Sequence, residues 1–183
     1  MQTLDVGCGS IKRGTIGVDL DRAVRPDVVA EATVLPFRGE TFDKVISIQC
    51  LEHLWQPPSK PAMAVISALK EFSRVLKKGG VLDLTVPNFA GVSTLIKWVM
   101  LRGEGIESAY GPEGYFLLGS HLNENQVHHV AFTQRSLRIS LEQAGFTNVK
   151  FRATMVNSDL LGKVKFLIPK SRHDLIRVEA ISK

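Results

Sequence analysis

Asp5, Gly7, Gly9 and Asp19 are the residues whose types and spacing point most directly to chemistry. Leu4-Asp5-Val6-Gly7-Cys8-Gly9-Ser10 reads as a strand tip opening into a glycine turn. Gly17-Val18-Asp19-Leu20 reads as a second short apolar strand that ends on a carboxylate. Neighbouring parallel strands bring such carboxyl ends side by side, which is where open parallel sheets bind ligands. Gly7 and Gly9 have no Cβ, so the backbone there can approach a ligand closely or take a positive φ. Asp19 is placed to accept hydrogen bonds from a ribose diol, and the expectation is a cofactor that contains a nucleoside. A dinucleotide fits poorly, because its fingerprint needs Gly-x-Gly-x-x-Gly and the third glycine position is Lys12.

Further segments follow in order. Val28-Val29-Ala30-Glu31-Ala32 ends a third apolar run, and Leu35-Pro36-Phe37 precedes Phe42-Asp43-Lys44-Val45-Ile46-Ser47. A fourth strand then stops at Gln49-Cys50, followed at once by Leu51-Glu52-His53-Leu54. This series resembles the class I S-adenosylmethionine-dependent methyltransferases, in particular their broad small-molecule group. That group carries Asp-x-Gly-x-Gly, Leu-Pro-Phe, Phe-Asp and Leu-Glu-His-Leu motifs. The likeness is close over residues 3 to about 90 and returns more loosely at His129-Val130-Ala131-Phe132-Thr133 and Ala144-Gly145-Phe146.

The resemblance implies an α/β fold: a Rossmann-like, open, mostly parallel seven-stranded sheet with an antiparallel terminal strand and helices on its faces. It implies S-adenosylmethionine as cofactor. Asp5, Gly7 and Gly9 would then line the methionine part, with Asp5 near the ammonium. Asp19 would hold both ribose hydroxyls and Leu20 would lie against the adenine. Glu31, where the family usually has Asp, would accept from the adenine amino group, beside the Ala32 N–H. The Gln49 carbonyl would hold the ammonium. A sulfonium cofactor is positively charged, so carboxylates and carbonyl dipoles suit it better than a phosphate-cradling nest does.

Methyl transfer is an in-line displacement in which positioning does much of the work, and an alcohol acceptor also needs a proton acceptor. Of the histidines 53, 121, 128, 129 and 173, His53 lies just after the fourth strand and is the first candidate for that base. His128 and His129 are candidates for binding substrate. His121, His128 and His129 have no ligand spacing that fixes a metal site, and no metal is assigned. The fourth strand lacks the Asn/Asp-Pro-Pro-Tyr often found in enzymes that methylate amino groups of bases. Methylation of a base's exocyclic amino group is thereby disfavoured, and the expected acceptor is a small metabolite, lipid head group or sugar, methylated at oxygen in preference to nitrogen or carbon. Two alternatives stand beside it: an RNA methyltransferase, and a protein that binds S-adenosylmethionine without catalysis.

The elements that must position these residues are short. Apolar runs at 3–6, 15–20, 27–30, 43–49 and 81–86 read as strands, nearly continuous as buried parallel strands are. Asn148–Met155 and Leu175–Ser182 read as the last two. Apolar residues at helical spacing predict a helix over Pro61–Lys78 that ends at Gly79-Gly80. A second helix is expected over Thr133–Ala144, with Thr133 as N-cap. The connections Gly7 to Gly14 and Asp21 to Asp27 are too short for the helix of an ordinary parallel crossover. One flank of the sheet is thus expected to be thinly covered, and a homodimer is the expected remedy.

The whole chain, residues 1–183, reads as one domain with a substrate lid inserted at 88–131. The net charge of +5 lies wholly in residues 150–183, which hold eight basic against three acidic residues. That patch is the footprint an RNA partner would use; a solvated basic surface is the plainer reading. Cys8 and Cys50 are expected to be reduced thiols of a cytoplasmic enzyme. No apolar run is long enough to span a membrane.

Overall fold

In the computed structural model, residues 1–55, 63–89, 127–152 and 175–183 are described. The apolar runs form seven strands: β1 (Thr3–Val6), β2 (Ile16–Asp19), β3 (Val28–Val29), β4 (Phe42–Ile48), β5 (Leu76–Pro87), β6 (Phe146–Arg152) and β7 (Leu175–Ser182). They build one sheet in the order β3-β2-β1-β4-β5-β7-β6. β1 pairs parallel with both β2 and β4, and β5 continues the parallel run beside β4. β7 enters antiparallel between β5 and β6. The expected mixed sheet is therefore present, and the carboxyl ends of β1, β2 and β4 share one rim.

Helix α1 (Met63–Val75) packs on β5, and helix α2 (Gln134–Gln143) packs on β6 and on α1. The two helices thus cover one face, burying Leu69, Phe72, Leu137 and Leu141 against strand residues such as Leu82 and Phe146. Thr133 caps α2 as its sequence predicts. Its hydroxyl accepts from the Ser136 N–H at 3.1 Å while the Ser136 hydroxyl accepts from the Thr133 N–H at 3.0 Å, a reciprocal capping box.

The end of α1 departs from the expectation. The helix stops at Val75 and does not run on to Lys78, and β5 begins at Leu76. The pairing with β4 then jumps from Phe42–Leu76 to Lys44–Val81, so Lys77 to Gly80 bulge out of register. Lys77 reaches Asp43 at 2.7 Å, and Gly79 takes φ +76°. That cross-strand ion pair and the left-handed residue hold an extended path where helical spacing alone would have continued.

The two abbreviated crossovers contain no α-helix; the second has a single 3-10 turn at Arg22–Val24. Carboxylates stitch them to the sheet in place of helix packing. Asp27 accepts from the Gly17 N–H at 2.6 Å and from Lys12 Nζ at 2.8 Å. The Lys12 hydrogen bond, then that from Gly17, holds the Asp27 carboxyl below the usual range. Ile11, Leu20 and Val29 flank these connections at 68%, 54% and 44% exposure, so this flank is thinly covered as expected.

Of the 88–131 insertion, residues 90–126 lie outside the described residues. Its two ends meet: the Phe89 N–H donates to Phe132 O at 2.8 Å, beside a parallel bridge between Asn88 and Phe132. On the other side, Glu52 O accepts from the N–H groups of His129 at 2.7 Å and Val130 at 3.2 Å. Among the described residues no helix is long and apolar enough to cross a membrane.

Candidate functional site

The glycine turn after β1 is clipped to β2, with the N–H groups of Gly7 and Cys8 donating to Val18 O at 2.9 and 3.1 Å. Gly7 and Gly9 take φ +70° and +54°, but for different reasons. A Cβ on Gly7 would lie 2.6 Å from Cys50 Cβ, so the loop after β4 fills the space beside it. A Cβ on Gly9 would meet no atom within 4 Å. The missing Cβ thus makes room for the loop after β4 at Gly7, and leaves open space at Gly9.

Asp19 sits at the tip of β2 with its carboxylate fixed from both sides. Oδ2 accepts from the Gly9 N–H at 2.9 Å and Oδ1 from the Asp21 N–H at 2.9 Å. Each oxygen of a carboxylate has two lone pairs, so a pair of hydroxyls can still be accepted by an already oriented group. Leu20, next in sequence, is more than half exposed. Glu31 is exposed and its carboxylate accepts from the Thr33 hydroxyl at 3.1 Å, while Ala32 is buried. The Ala30 N–H donates to Asp19 O at 3.2 Å, which ties the Glu31 segment to the end of β2.

Asp5 is fully buried, and its Oδ2 accepts from the Arg13 N–H at 2.6 Å. It therefore holds the first abbreviated crossover in place. Oδ1 has no hydrogen-bond partner among the described residues. Burial raises its pKa, and the Arg13 hydrogen bond only partly opposes this. Gln49 closes β4 with φ +52° and donates its N–H to Thr85 O at 2.8 Å; a non-glycine residue there is strained. Both cysteines are free thiols, and burial pushes the Cys50 thiol up to about 12.

Beyond Cys50, a 3-10 turn (Leu51–His53) carries the catalytic candidate. His53 Nδ1 lies 3.1 Å from Val127 O. A carbonyl can only accept, so Nδ1 carries the proton and Nε2 keeps its lone pair. Burial lowers the His53 pKa, which favours this neutral form. The His128 ring stands edge-on to that of His53, with centroids 4.8 Å apart and planes at 63°. The structure thus brings His53 and His128 together, whereas His129 meets this turn through its backbone N–H. His121 lies outside the described residues.

Glu52 is the residue to which sequence reasoning assigned no role. It is 0% exposed, and neither carboxylate oxygen has a hydrogen-bond partner among the described residues. Burial pushes its pKa up to about 8. The available signal was its place beside His53 in Leu-Glu-His-Leu.

The basic tail is partly neutralised. Arg152 pairs with Glu179 at 2.6 Å and Arg177 with Asp83 at 2.9 Å, whereas Lys163, Lys165, Lys170 and Arg172 lie outside the described residues. Lys150, Lys183 and Arg138, with Glu142, line an open hollow of about 500 Å³ at the β6 edge. The intervening strands separate this edge from the rim of β1 and β2.

Residues 4–84 match the family model described as a methyltransferase domain, in line with the resemblance read from the sequence. A Thermotoga maritima crystal structure described as a SAM-dependent methyltransferase, possible histamine N-methyltransferase, superposes with TM-score 0.58 at 19% identity. That alignment covers 100% of this chain and 82% of the other. An uncharacterized Methanocaldococcus jannaschii protein is 32% identical over 53% of this chain and 41% of its own length. An Arabidopsis thaliana tRNA (carboxymethyluridine(34)-5-O)-methyltransferase is 31% identical over 70% of this chain and 33% of its own length. The matched part thus spans less than half of either curated relative.

Proposed function

From a chain that carries the fold and the domain signature of S-adenosylmethionine-dependent methyltransferases, we propose that it transfers a methyl group from that cofactor to an oxygen of a small metabolite, lipid head group or sugar. The observation that carries this reading is the Asp19 carboxylate, held by the Gly9 and Asp21 N–H groups beside open space at Gly9. Such a group accepts a ribose diol with no reorganisation of its own. The orphaned Asp5 Oδ1 adds negative character under the turn, which suits a cationic ligand.

When bound, S-adenosylmethionine supplies an electrophilic methyl group. Asp19 holds the ribose, Leu20 offers an apolar surface to the adenine, and Glu31 with the Ala32 N–H reads the adenine edge. Gly7, Gly9, Asp5 and the Gln49 carbonyl surround the methionine end. His53, neutral and with Nε2 unprotonated, accepts the proton of the acceptor hydroxyl, and His128 and His129 orient the acceptor. The Arabidopsis relative's name specifies transfer to oxygen, which favours the same atom here.

The same relative favours a second reading, a tRNA acceptor, with Arg138, Lys150 and Lys183 as a phosphate-binding surface. The ion pairs of Arg152 and Arg177 leave fewer free cations for it, so the small acceptor ranks first. Calorimetry with S-adenosylmethionine, followed by methyl-label transfer to metabolite and RNA fractions, tests both. Label in small molecules supports the first reading, and label in RNA supports the second. Cofactor binding without turnover on any fraction makes the chain a non-catalytic binder, and absence of cofactor binding refutes the proposal.

A further inference from the structure

Two chain segments far apart in sequence converge on one polar cluster. The Leu51–His53 turn provides Glu52 and His53, and the segment pinned to it by Glu52 O provides His128. One ligand atom from each of the three side chains lies within 4.8 Å of the others. Among the described residues, Glu52 is the fully buried carboxylate with neither oxygen hydrogen-bonded. A buried carboxylate without a partner is costly, and in this cluster the groups beside it are imidazoles.

We propose that Glu52, His53 and His128 form a binding site for a divalent transition-metal cation of the zinc type. Metal–ligand bonds of about 2.1 Å in a tetrahedral shell put ligand atoms about 3.4 Å apart, so side-chain rotations of roughly an ångström complete it. His53 is already oriented as metal-bound histidines are, with Nδ1–H donating to the Val127 carbonyl and Nε2 left to coordinate. Two imidazole nitrogens with one carboxylate select zinc, cobalt, nickel or iron over magnesium and calcium, which prefer all-oxygen shells. Three protein ligands leave a fourth position open, as in catalytic sites. Histidine spacing along the chain could not disclose this set, because His128 arrives from beyond the 90–126 segment and Glu52 is not a histidine.

The cluster follows β4 directly, on the rim where the acceptor is proposed to bind. A metal there would polarise an acceptor oxygen and make its proton easier to lose to water. In the metal-loaded protein His53 would then be a ligand, and the proton-accepting role given to it above would apply only to the metal-free protein. That use rests on the methyl-transfer reading; the binding of the ion does not.

The test uses the full chain, stripped of metal with a chelator and titrated with Zn²⁺ against a chromophoric competitor. One equivalent should bind with sub-micromolar affinity. Glu52→Gln and His128→Ala should each weaken binding about a hundredfold or more, since even a second-shell change costs about 10–100-fold. Affinity for S-adenosylmethionine should stay as in the unmodified chain. Co²⁺ in place of Zn²⁺ should give visible bands without a thiolate charge-transfer band. This spectrum needs no variant, so misfolding of a variant cannot hide the answer. Absence of stoichiometric binding, undiminished affinity in both folded variants, or a thiolate band implicating Cys50 overturns the proposal. Zinc binding by a chain with no affinity for S-adenosylmethionine would uphold this site and remove only the methyl-transfer reading.

Discussion

Replacing Asp19 by Ala removes one carboxylate that has two separable tasks. Towards the cofactor it is proposed to accept both ribose hydroxyls, and charged hydrogen bonds of this kind contribute a net of about 1.5–3 kcal/mol each when buried. Because the β2 tip is half-buried, water replaces part of the loss, so affinity should fall by about 1–3 kcal/mol, or roughly 5- to 150-fold. Towards the protein, the Gly9 and Asp21 N–H groups lose their acceptor. Both can turn to solvent, at about 0.5–1.5 kcal/mol each. A chain of this size loses about 2–4 °C of melting temperature per kcal/mol, so a shift of a few degrees accompanies the weaker binding. Calorimetric titration with S-adenosylmethionine and S-adenosylhomocysteine reads the first effect, and thermal unfolding without ligand reads the second. Asp19→Asn sharpens the comparison, because its amide sets a donor against either the Gly9 or the Asp21 N–H. If Asp19→Ala melts lower yet binds both ligands as before, the carboxylate is only a turn brace and the ribose lies elsewhere.

Gly7→Ala should cost about 2–4 kcal/mol of unfolding free energy in urea denaturation, from its positive φ and a Cβ only 2.6 Å from that of Cys50. Gly9→Ala, with nothing near its Cβ, should cost only about 1–2 kcal/mol. Asp83 is buried between Arg177 and Lys44. Burial alone would raise its pKa, but these two cations overcompensate and hold it below the ordinary value of 3.8. Its stabilisation is therefore complete above that value and fades as pH falls through the lower folded one. Asp83→Asn should be about 1–3 kcal/mol less stable at neutral pH, with the gap closing in acid; a gap independent of pH in urea midpoints would contradict this. Thr133→Ala removes the N-cap of α2 and should lower stability by about 1 kcal/mol, read from the same denaturation curves.

The strands were legible as apolar runs, three of which stop at Gly7, Asp19 and Pro87, and neighbouring order among the first strands follows from their short connections. Asp19 was legible because it terminates such a run. Thr133 was legible from its place just before the apolar period of α2. Long-range contacts hid the rest. Nothing near Val75 in sequence announces that Lys77 will pair with Asp43 across the sheet and end the helix early. The packing of Gly7 against Cys50 was hidden because the two lie more than 40 residues apart. Glu52 was passed over because glutamate is seldom fully buried; its enclosure becomes visible only once residues 127–130 are laid across the turn.

The hydrogen bonds that join Phe89 to Phe132 and Glu52 to His129 and Val130 close the inserted segment at its neck. Closing a longer flexible loop costs only about 0.6 kcal/mol for each doubling of its length. Changes of length between these anchor points are therefore expected to cost the sheet and the Asp19 turn little, which unfolding of a shortened variant would check. Under the proposed reading of this segment as the substrate lid, acceptor choice would be a replaceable cassette, free to diversify while the donor half stays fixed.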